Sequence, residues 1–266
     1  MSSLSSSLLA VSGLRPDGRK RSELRFLKAK LGVERPISLP SSVRSVNGSA
    51  FLAMGETKIY ASVSGPHEME RHSEALMDEA VLRVNLTVAP FGGGVDRIKQ
   101  LSRGGDKNNQ KMAGNIKAIF EGAVFLDLHP RSQIDLNIVV LADDGGRLVA
   151  AVNAATLALV DAGIAMRDFV VGCEAGYLNN GTLIDLSSSE KQHYATLGDA
   201  VVLPVVMMPQ RDKVMLCQSD SRHGLEVFEE TLEAGVEGCG QVFRQLQTAV
   251  RAHAVEKQSL PGPNLG

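Results

Sequence analysis

Tryptophan is absent from this 266-residue sequence, which also has only three tyrosines and three cysteines. With so few aromatic rings, stacking on the bases of a nucleic acid can make only a minor contribution to binding. The cysteines, Cys173, Cys217 and Cys239, are far apart, odd in number and without metal-ligand spacing. We therefore expect reduced thiols in the core of an intracellular protein, rather than a disulfide framework or a cysteine-based metal site.

Long apolar runs are also lacking, since no segment approaches the roughly 18 uncharged residues that a membrane span requires. The opening MSSLSSSLLAVSGL has no basic residue before Arg15, which argues against a secretory signal or a transit peptide. We expect disordered tails over residues 1–14 and 256–266. The formal net charge of −2 predicts no general attraction to nucleic acid, so any anion-binding surface must be local.

The hydrophobic pattern predicts an α+β fold. The length permits one large or two small domains, and we divide the chain into an N-terminal part, 15–150, and a C-terminal part, 151–255. A helix that is apolar from Leu148 onward should lie between layers of mixed sheet. Alternation and turn signals predict strands at Ser42–Asn47, Ser49–Met54, Lys58–Val63, Ala80–Ala89, Ile134–Val140, Phe169–Leu178, Thr182–Leu186, Val201–Met208 and Lys213–Cys217. Helical spacing appears over Met112–Phe125 and from Leu225 to Leu246.

A long polar segment, Pro90–Lys111, contains two glycine clusters and is predicted to be a loop, which at this length is usually functional or disordered. It contains the main basic patch of the chain, at Arg97, Lys99, Arg103, Lys107 and Lys111.

Gly145-Gly146-Arg147 precedes the apolar helix and can be interpreted in two ways. The first interpretation is a phosphate site. The start of a helix offers unpaired N–H groups and a positive dipole, the glycines let an anion approach, and the arginine adds a forked cation. A glycine pair before a helix is, however, more often only a turn. No G-x-x-x-x-G-K-[ST] motif is present, so an NTP-hydrolysing P-loop is excluded.

Four segments in the same order, GLRPDGRKRSELR, LHPRSQIDLNIVVLADDGG, VNAATLALVDAGIAMRDFVVGCEAGYL and LIDLSSSE, resemble the RNase PH superfamily and, within it, exosome ring subunits. The resemblance covers roughly residues 13 to 250. It implies an RNase PH-like fold, with two β-α-β-type layers sandwiching central helices. It also implies a site at which, in active relatives, inorganic phosphate attacks the 3′-terminal linkage of RNA and releases a nucleoside diphosphate.

The resemblance also implies which site residues are kept. The phosphate turn of active relatives, Gly-Thr/Ser-Arg, corresponds to Gly145, Gly146 and Arg147, so the hydroxyl residue is missing. The first of two aspartates spaced six apart corresponds to Asp185, and the second position holds Lys191. A lysine can neither accept a proton near neutral pH nor bind Mg²⁺. Glu190 is a doubtful substitute if this segment is extended, and Asp185 itself is either a remnant of the site or a solvated strand-end carboxylate.

RNA-binding positions carried over from the family are Lys107, where one of two basic residues is kept because Asn108 replaces the other, and Arg131 near the cleft. Arg103 lies close enough to compensate, although an ordinary solvated cation is the simpler reading of it. His129 is expected to pack or cap rather than catalyse.

We expect a non-catalytic ring subunit that channels single-stranded RNA for 3′-5′ processing and degradation, including rRNA processing and mRNA turnover. Its partners would be other RNase PH-like subunits in a hexameric ring, OB-fold/KH cap proteins and a separate nuclease, in the nucleus, nucleolus and cytoplasm. No metal or cofactor is expected. The alternative is an active phosphate-dependent exoribonuclease, which would use inorganic phosphate and Mg²⁺. A free-standing tRNA-trimming hexamer fits the sequence segments less well.

Overall fold

The computed structural model describes residues 14–33, 46–69, 77–89, 91, 103–177, 181–197, 201–219, 221 and 223–259. Within these ranges the chain forms two β-sheets with a helix between them and further helices outside. No helix in the described ranges is long and apolar enough to cross a membrane. Leu14 is the one residue of the predicted N-terminal tail that falls inside them.

The first sheet contains five strands in the order β1-β2-β3-β5-β4. The strands β4 and β5 are parallel, and the other neighbours are antiparallel. The tight turn between β2 and β3 uses Gly55 at φ 58°, a left-handed conformation in which glycine is not strained. The strands are β1 Leu27–Leu31, β2 Gly48–Met54, β3 Thr57–Glu68, β4 Val81–Val88 and β5 Ser132–Ala142.

The second sheet is entirely antiparallel, with the order β7-β6-β8-β9. Its strands are β6 Val171–Tyr177, β7 Thr182–Ile184, β8 Val201–Met208 and β9 Lys213–Cys217. The strands β6 and β7 pair antiparallel, as do β8 and β9, and β8 and β9 begin and end at the predicted residues. The expectation of mixed sheets holds for the first sheet only.

A central helix joins the sheets. Helix α2, Arg147–Ala162, contacts β2 and β3 on one side and β6 on the other, and its residues from Val149 to Leu159 are buried. Gly48 permits close approach to the helix, because a Cβ there would lie 2.2 Å from the backbone nitrogen of Ala162. Gly163 ends the helix in a left-handed conformation, in which glycine is not strained. The division of the chain at residue 150 falls inside this helix, which packs against both sheets.

Three other α-helices complete the described fold. Helix α1, Arg103–Ala123, packs on β4; helix α3 spans Ser188–Leu197; and helix α4, Leu225–Ser259, packs on β6 and β8. Helix α4 approaches the second sheet closely at Gly238, because any larger residue would place its Cβ 2.6 Å from Cys173 Sγ. Cys173 and Cys239 are buried thiols, as expected, whereas Cys217 is only half-buried.

Several element predictions need correction. The predicted loop Pro90–Lys111 is helical from Arg103 onward, and α4 continues past residue 256, where the C-terminal tail was predicted to begin, to Ser259. The segment after Asp185 is helical rather than extended, and β1 was not predicted. Most of the predicted strand Ser42–Asn47 lies outside the described residues, and its last two positions are not in a strand.

Candidate anion cleft

A cleft of about 510 Å³ opens at the start of α2. Its walls come from α1, the turn after β5, strands β6 and β8, and α3. Five charged side chains line it, namely Lys111, Asp143, Arg147, Glu174 and Lys191, together with Gly145 and Gly146. The fold thus brings the predicted phosphate turn and Lys191 into one cleft.

The glycine turn is held firmly at the mouth of α2. Gly145 and Gly146 have φ values of 92° and 67°, and Gly146 is the N-cap residue. Within the described ranges no side chain caps the helix. The hydroxyl of Thr57 donates to the carbonyl of Gly145 at 2.8 Å. The turn therefore has both proposed properties, because it starts a buried helix and it also presents a helix N-terminus to the cleft.

Arg147 is bound within its own chain. Its Nε donates to Asp143 Oδ2 at 2.8 Å, and a second guanidinium nitrogen contacts the same oxygen. The side chains are only 15% and 18% exposed, so this ion pair is partly shielded from water. An incoming anion would therefore have to compete with Asp143 for the arginine.

Asp185 does not line the cleft, and it is completely buried. Its Oδ1 accepts from Arg25 Nη2 at 2.7 Å, and its Oδ2 accepts from Arg25 Nε at 3.0 Å and from the Arg25 backbone at 2.9 Å. Burial alone would raise the pKa of Asp185, but the hydrogen bonds and charge of Arg25 outweigh burial and lower it. The reading of Asp185 as a solvated carboxylate is therefore wrong.

Glu190 and Lys191 lie on α3 and point to different partners. Glu190 accepts from Arg15 Nε at 2.7 Å and from the Ser187 backbone at 2.8 Å. Burial would raise the pKa of Glu190, but these bonds lower it. Lys191 Nζ donates to Glu174 Oε1 at 2.6 Å. The segment is helical, so the doubt about Glu190 based on an extended segment does not apply. Glu190 is unsuited to replace the missing aspartate because Arg15 holds it.

The predicted RNA-binding residues are only partly brought together. Lys107 is exposed on α1, and Asn108 and Lys111, from the same helix, line the cleft. Arg103 begins this helix, but its side chain lies outside the described residues. Arg131 is exposed before β5, at the end of the strand away from Asp143, and eleven residues at about 3.3 Å each place it roughly 35 Å away. His129 is half-buried after a short 3₁₀ helix, Leu126–Leu128.

Three residues of this region were missed from the sequence: Arg15, Arg25 and Glu174. The arginines lie in the family-like segment GLRPDGRKRSELR, but no local pattern shows that they reach α3 and Asp185, some 160 positions away or more. Glu174 falls within the predicted strand Phe169–Leu178, in which a lone carboxylate is the available signal. Among the described residues, no group of three or more His, Cys, Asp or Glu could hold a metal ion.

The chain belongs to the RNase PH family, and residues 34–165 match the family described as "3' exoribonuclease family, domain 1". Nearly its whole length is similar to Rrp41 exosome components. It is 37% identical over 250 residues to exosome complex component RRP41 of Mus musculus, covering 94% of this chain and 95% of the relative. The Arabidopsis thaliana homologue is 38% identical over 240 residues, with 90% and 92% covered. Rrp41 of Pyrococcus horikoshii is 37% identical over 246 residues, with 92% and 91% covered.

Solved structures confirm the fold. Rice Rrp46 superposes with a TM-score of 0.73 at 22% identity, covering 89% of this chain and all of that one. A chain of the Archaeoglobus fulgidus exosome with RNA bound to the active site superposes with a TM-score of 0.66 at 21% identity, covering 88% and 93%. The predicted RNase PH-like α+β fold is therefore confirmed.

Proposed function

We propose that this chain is a non-catalytic RNase PH-like subunit of an exosome core ring, which helps to conduct single-stranded RNA toward a separate nuclease. The observation that carries this proposal is the state of the two carboxylate positions. Asp185 is buried against Arg25, and the second position holds Lys191, which is bound by Glu174. Neither position offers a free carboxylate for proton transfer or for Mg²⁺.

A second observation concerns affinity for phosphate. Arg147 and Lys191 each have a carboxylate partner in the cleft. The turn hydroxyl of active relatives is absent, and Gly146 has a left-handed φ that a β-branched threonine adopts only with strain. Loss of one acid or base group alone typically reduces a rate by about 10²–10⁴. We therefore expect background activity only.

The alternative is an active phosphate-dependent exoribonuclease. The cleft itself and Arg147 are kept. Glu174 brings a carboxylate into the cleft, and within the described part of the chain its Oε2 has no hydrogen-bond partner. In that case Glu174 would have taken over the acid/base role, and inorganic phosphate with Mg²⁺ would be required.

The deciding assay measures nucleoside diphosphates released from RNA, with phosphate and Mg²⁺, by the ring assembled around this chain. Wild type and Arg147→Ala rings should be equally inactive or share the same partner-derived background. Phosphate-dependent release that Arg147→Ala abolishes would establish the enzyme instead. Asp185→Ala is unsuitable as the control, because its carboxylate holds the fold.

Support for RNA binding comes from helix α1. Lys107 and Lys111 are spaced by four residues and so share one face of the helix, and Lys111 lines the cleft. Such cations bind RNA phosphates without reading sequence.

This proposal has further parts. It includes the other RNase PH-like ring subunits, OB-fold/KH cap proteins and a separate nuclease as partners, and the nucleus, nucleolus and cytoplasm as locations. Mass measurement of the complex purified through this chain tests the partners. A stable monomer that binds no RNase PH-like chain would contradict the ring assignment.

A further inference from the structure

Glu174 occupies an unusual position for a carboxylate. It lies in the middle of β6, its side chain is only 8% exposed, and it faces a cleft formed around a helix N-terminus. Oε1 accepts from Lys191 at 2.6 Å, while Oε2 is buried and has no hydrogen-bond partner among the residues that the structure describes. A buried carboxylate oxygen is usually paired, so an unpaired one needs a physical reason for being there.

The reason lies in what Oε2 faces. A Cβ built on Gly146 would be 3.6 Å from it, so the carboxylate sits directly beside the N-cap residue of α2. The N-terminus of this helix carries a partial positive charge, and no described side chain caps it. Arg25 adds a further positive charge, since Glu174 is among the carboxylates that interact electrostatically with it. The positive potential at the helix N-terminus would attract an external anion, but the carboxylate of Glu174 already neutralises it.

We infer that Glu174 acts as a built-in anion: its carboxylate takes the place of inorganic phosphate at the start of α2, holds Lys191, and so determines that the cleft excludes phosphate. This inference rests on the proposed non-catalytic function and names the residue that enforces it. It differs from the loss of Asp185 chemistry, because it concerns binding and not proton transfer.

Removal of the carboxylate should open the site. In Glu174→Ala, Lys191 loses its partner and the helix N-terminus loses its neighbouring negative charge. A phosphate at that position no longer meets the negative charge of Glu174 beside Gly146, which should raise affinity about tenfold or more. Glu174→Gln keeps the volume and removes only the charge, so it should show a smaller gain and is available if the alanine variant does not fold.

The test is calorimetric titration of the full chain with inorganic phosphate at fixed ionic strength. Glu174→Ala should bind at least about tenfold more tightly than wild type, and Glu174→Ala with Lys191→Ala should return toward wild type because the released cation is gone. Glu229→Ala removes an equal charge from an exposed position of α4 and should leave binding unchanged.

Three results would overturn the inference: no gain in Glu174→Ala or Glu174→Gln, an equal gain in Glu229→Ala, or the same gain with and without Lys191. Failure of the proposed function is recognised separately, as nucleoside diphosphate release by the wild-type ring. An inactive wild type combined with an unresponsive Glu174→Ala would leave the non-catalytic function standing and remove only the role of Glu174.

Discussion

Replacement of Asp185 by alanine should lower the stability of the protein, because this carboxylate has a structural role and not a catalytic one. The carboxylate accepts three hydrogen bonds from Arg25 at 2.7–3.0 Å, and both side chains are buried. The Arg25 side chain, which is 6% exposed in the wild type, loses its main counter-charge when Asp185 is removed. Breaking a buried ion pair by removing one partner typically destabilises by about 3–5 kcal/mol.

The lower end of that range is expected here. Arg25 Nη1 still donates to the carbonyl of Asp144 at 2.7 Å and lies 3.5 Å from its carboxylate, and Arg25 Nη2 donates to the carbonyl of Gly145 at 3.2 Å. The φ of Asp185 is 56°, and alanine is strained in this region by roughly 1 kcal/mol. We therefore expect Asp185→Ala to lower the free energy of unfolding by about 3–4 kcal/mol. Asparagine tolerates this φ better than alanine, so Asp185→Asn isolates the loss of charge.

Urea unfolding followed by far-ultraviolet circular dichroism measures this difference. Asp78→Ala, at an exposed carboxylate, serves as the matched control and should change stability by less than about 0.5 kcal/mol. The variant Arg25→Ala, alone and combined with Asp185→Ala, completes a double-mutant cycle, in which the two losses should not add. A loss below about 1 kcal/mol for Asp185→Ala would refute the structural role and return Asp185 to the list of catalytic candidates.

Three further predictions concern packing, pH and RNA. Gly48→Ala should destabilise the protein by about 3 kcal/mol or more, because the new Cβ would lie 2.2 Å from the α2 backbone. Gly114→Ala has open space around the new Cβ and should stabilise α1 by up to about 1 kcal/mol, and urea unfolding midpoints compare the two variants. The folded pKa values of Asp161, Asp185 and Glu190 are lowered from ordinary values of 3.8, 3.8 and 4.5, burial opposing the shift and hydrogen bonds to cations outweighing it. Their contribution to stability is therefore complete above those ordinary values and lost as pH falls below them, and Asp185→Asn should flatten this acid dependence; an unchanged profile would contradict it. Lys107→Ala with Lys111→Ala should weaken RNA binding by the assembled ring, and the slope of log affinity against log salt concentration should fall in magnitude by about 0.7 per lost phosphate contact. Lys117→Ala, which removes the partner of Glu121 on the same helix, should change neither.

Strands and helices whose apolar residues follow a local pattern could be predicted from the sequence. The strands β8 and β9 alternate or run apolar over short stretches bounded by turns, and helix α2 is apolar enough to be assigned to the interior. The helix α3 was missed because its sequence, SSEKQHYATL, has hardly any apolar face. A usable signal was nevertheless present. Ser187 and Glu190 form a capping box, in which the Ser187 hydroxyl accepts from the Glu190 backbone at 3.3 Å and Glu190 accepts from the Ser187 backbone at 2.8 Å.

The site was predicted less completely, because its decisive contacts join distant parts of the chain. The glycine turn and Arg147 are adjacent in sequence and could be recognised together. The partners of the buried acids, Arg15 with Glu190 and Arg25 with Asp185, depend on how the N-terminal segment crosses the second half of the molecule. No periodicity or spacing encodes that crossing, so the family resemblance identified the positions without showing that their charges were already paired.

The pairing of Lys191 with Glu174 predicts what a return to the family pattern would do. Lys191→Asp removes the only hydrogen-bonding partner described for the Glu174 carboxylate, at 2.6 Å, and places a second negative charge beside it. We expect this variant to be less stable than wild type by roughly 1–3 kcal/mol, since a buried carboxylate is left unpaired. Adding Glu174→Ala removes the repulsion and should recover most of that loss.

Activity should follow the same order. Gly146→Thr with Lys191→Asp restores the residue types of active relatives, but threonine is strained at a φ of 67° and the Glu174 carboxylate would lie 3.6 Å from its Cβ. This double variant should therefore release no nucleoside diphosphate from RNA, and a trace of activity becomes possible only when Glu174→Ala is added. Equal stability of Lys191→Asp and wild type in urea would show that Glu174 does not depend on Lys191. Phosphorolysis by the double variant alone would show that Glu174 does not block the cleft.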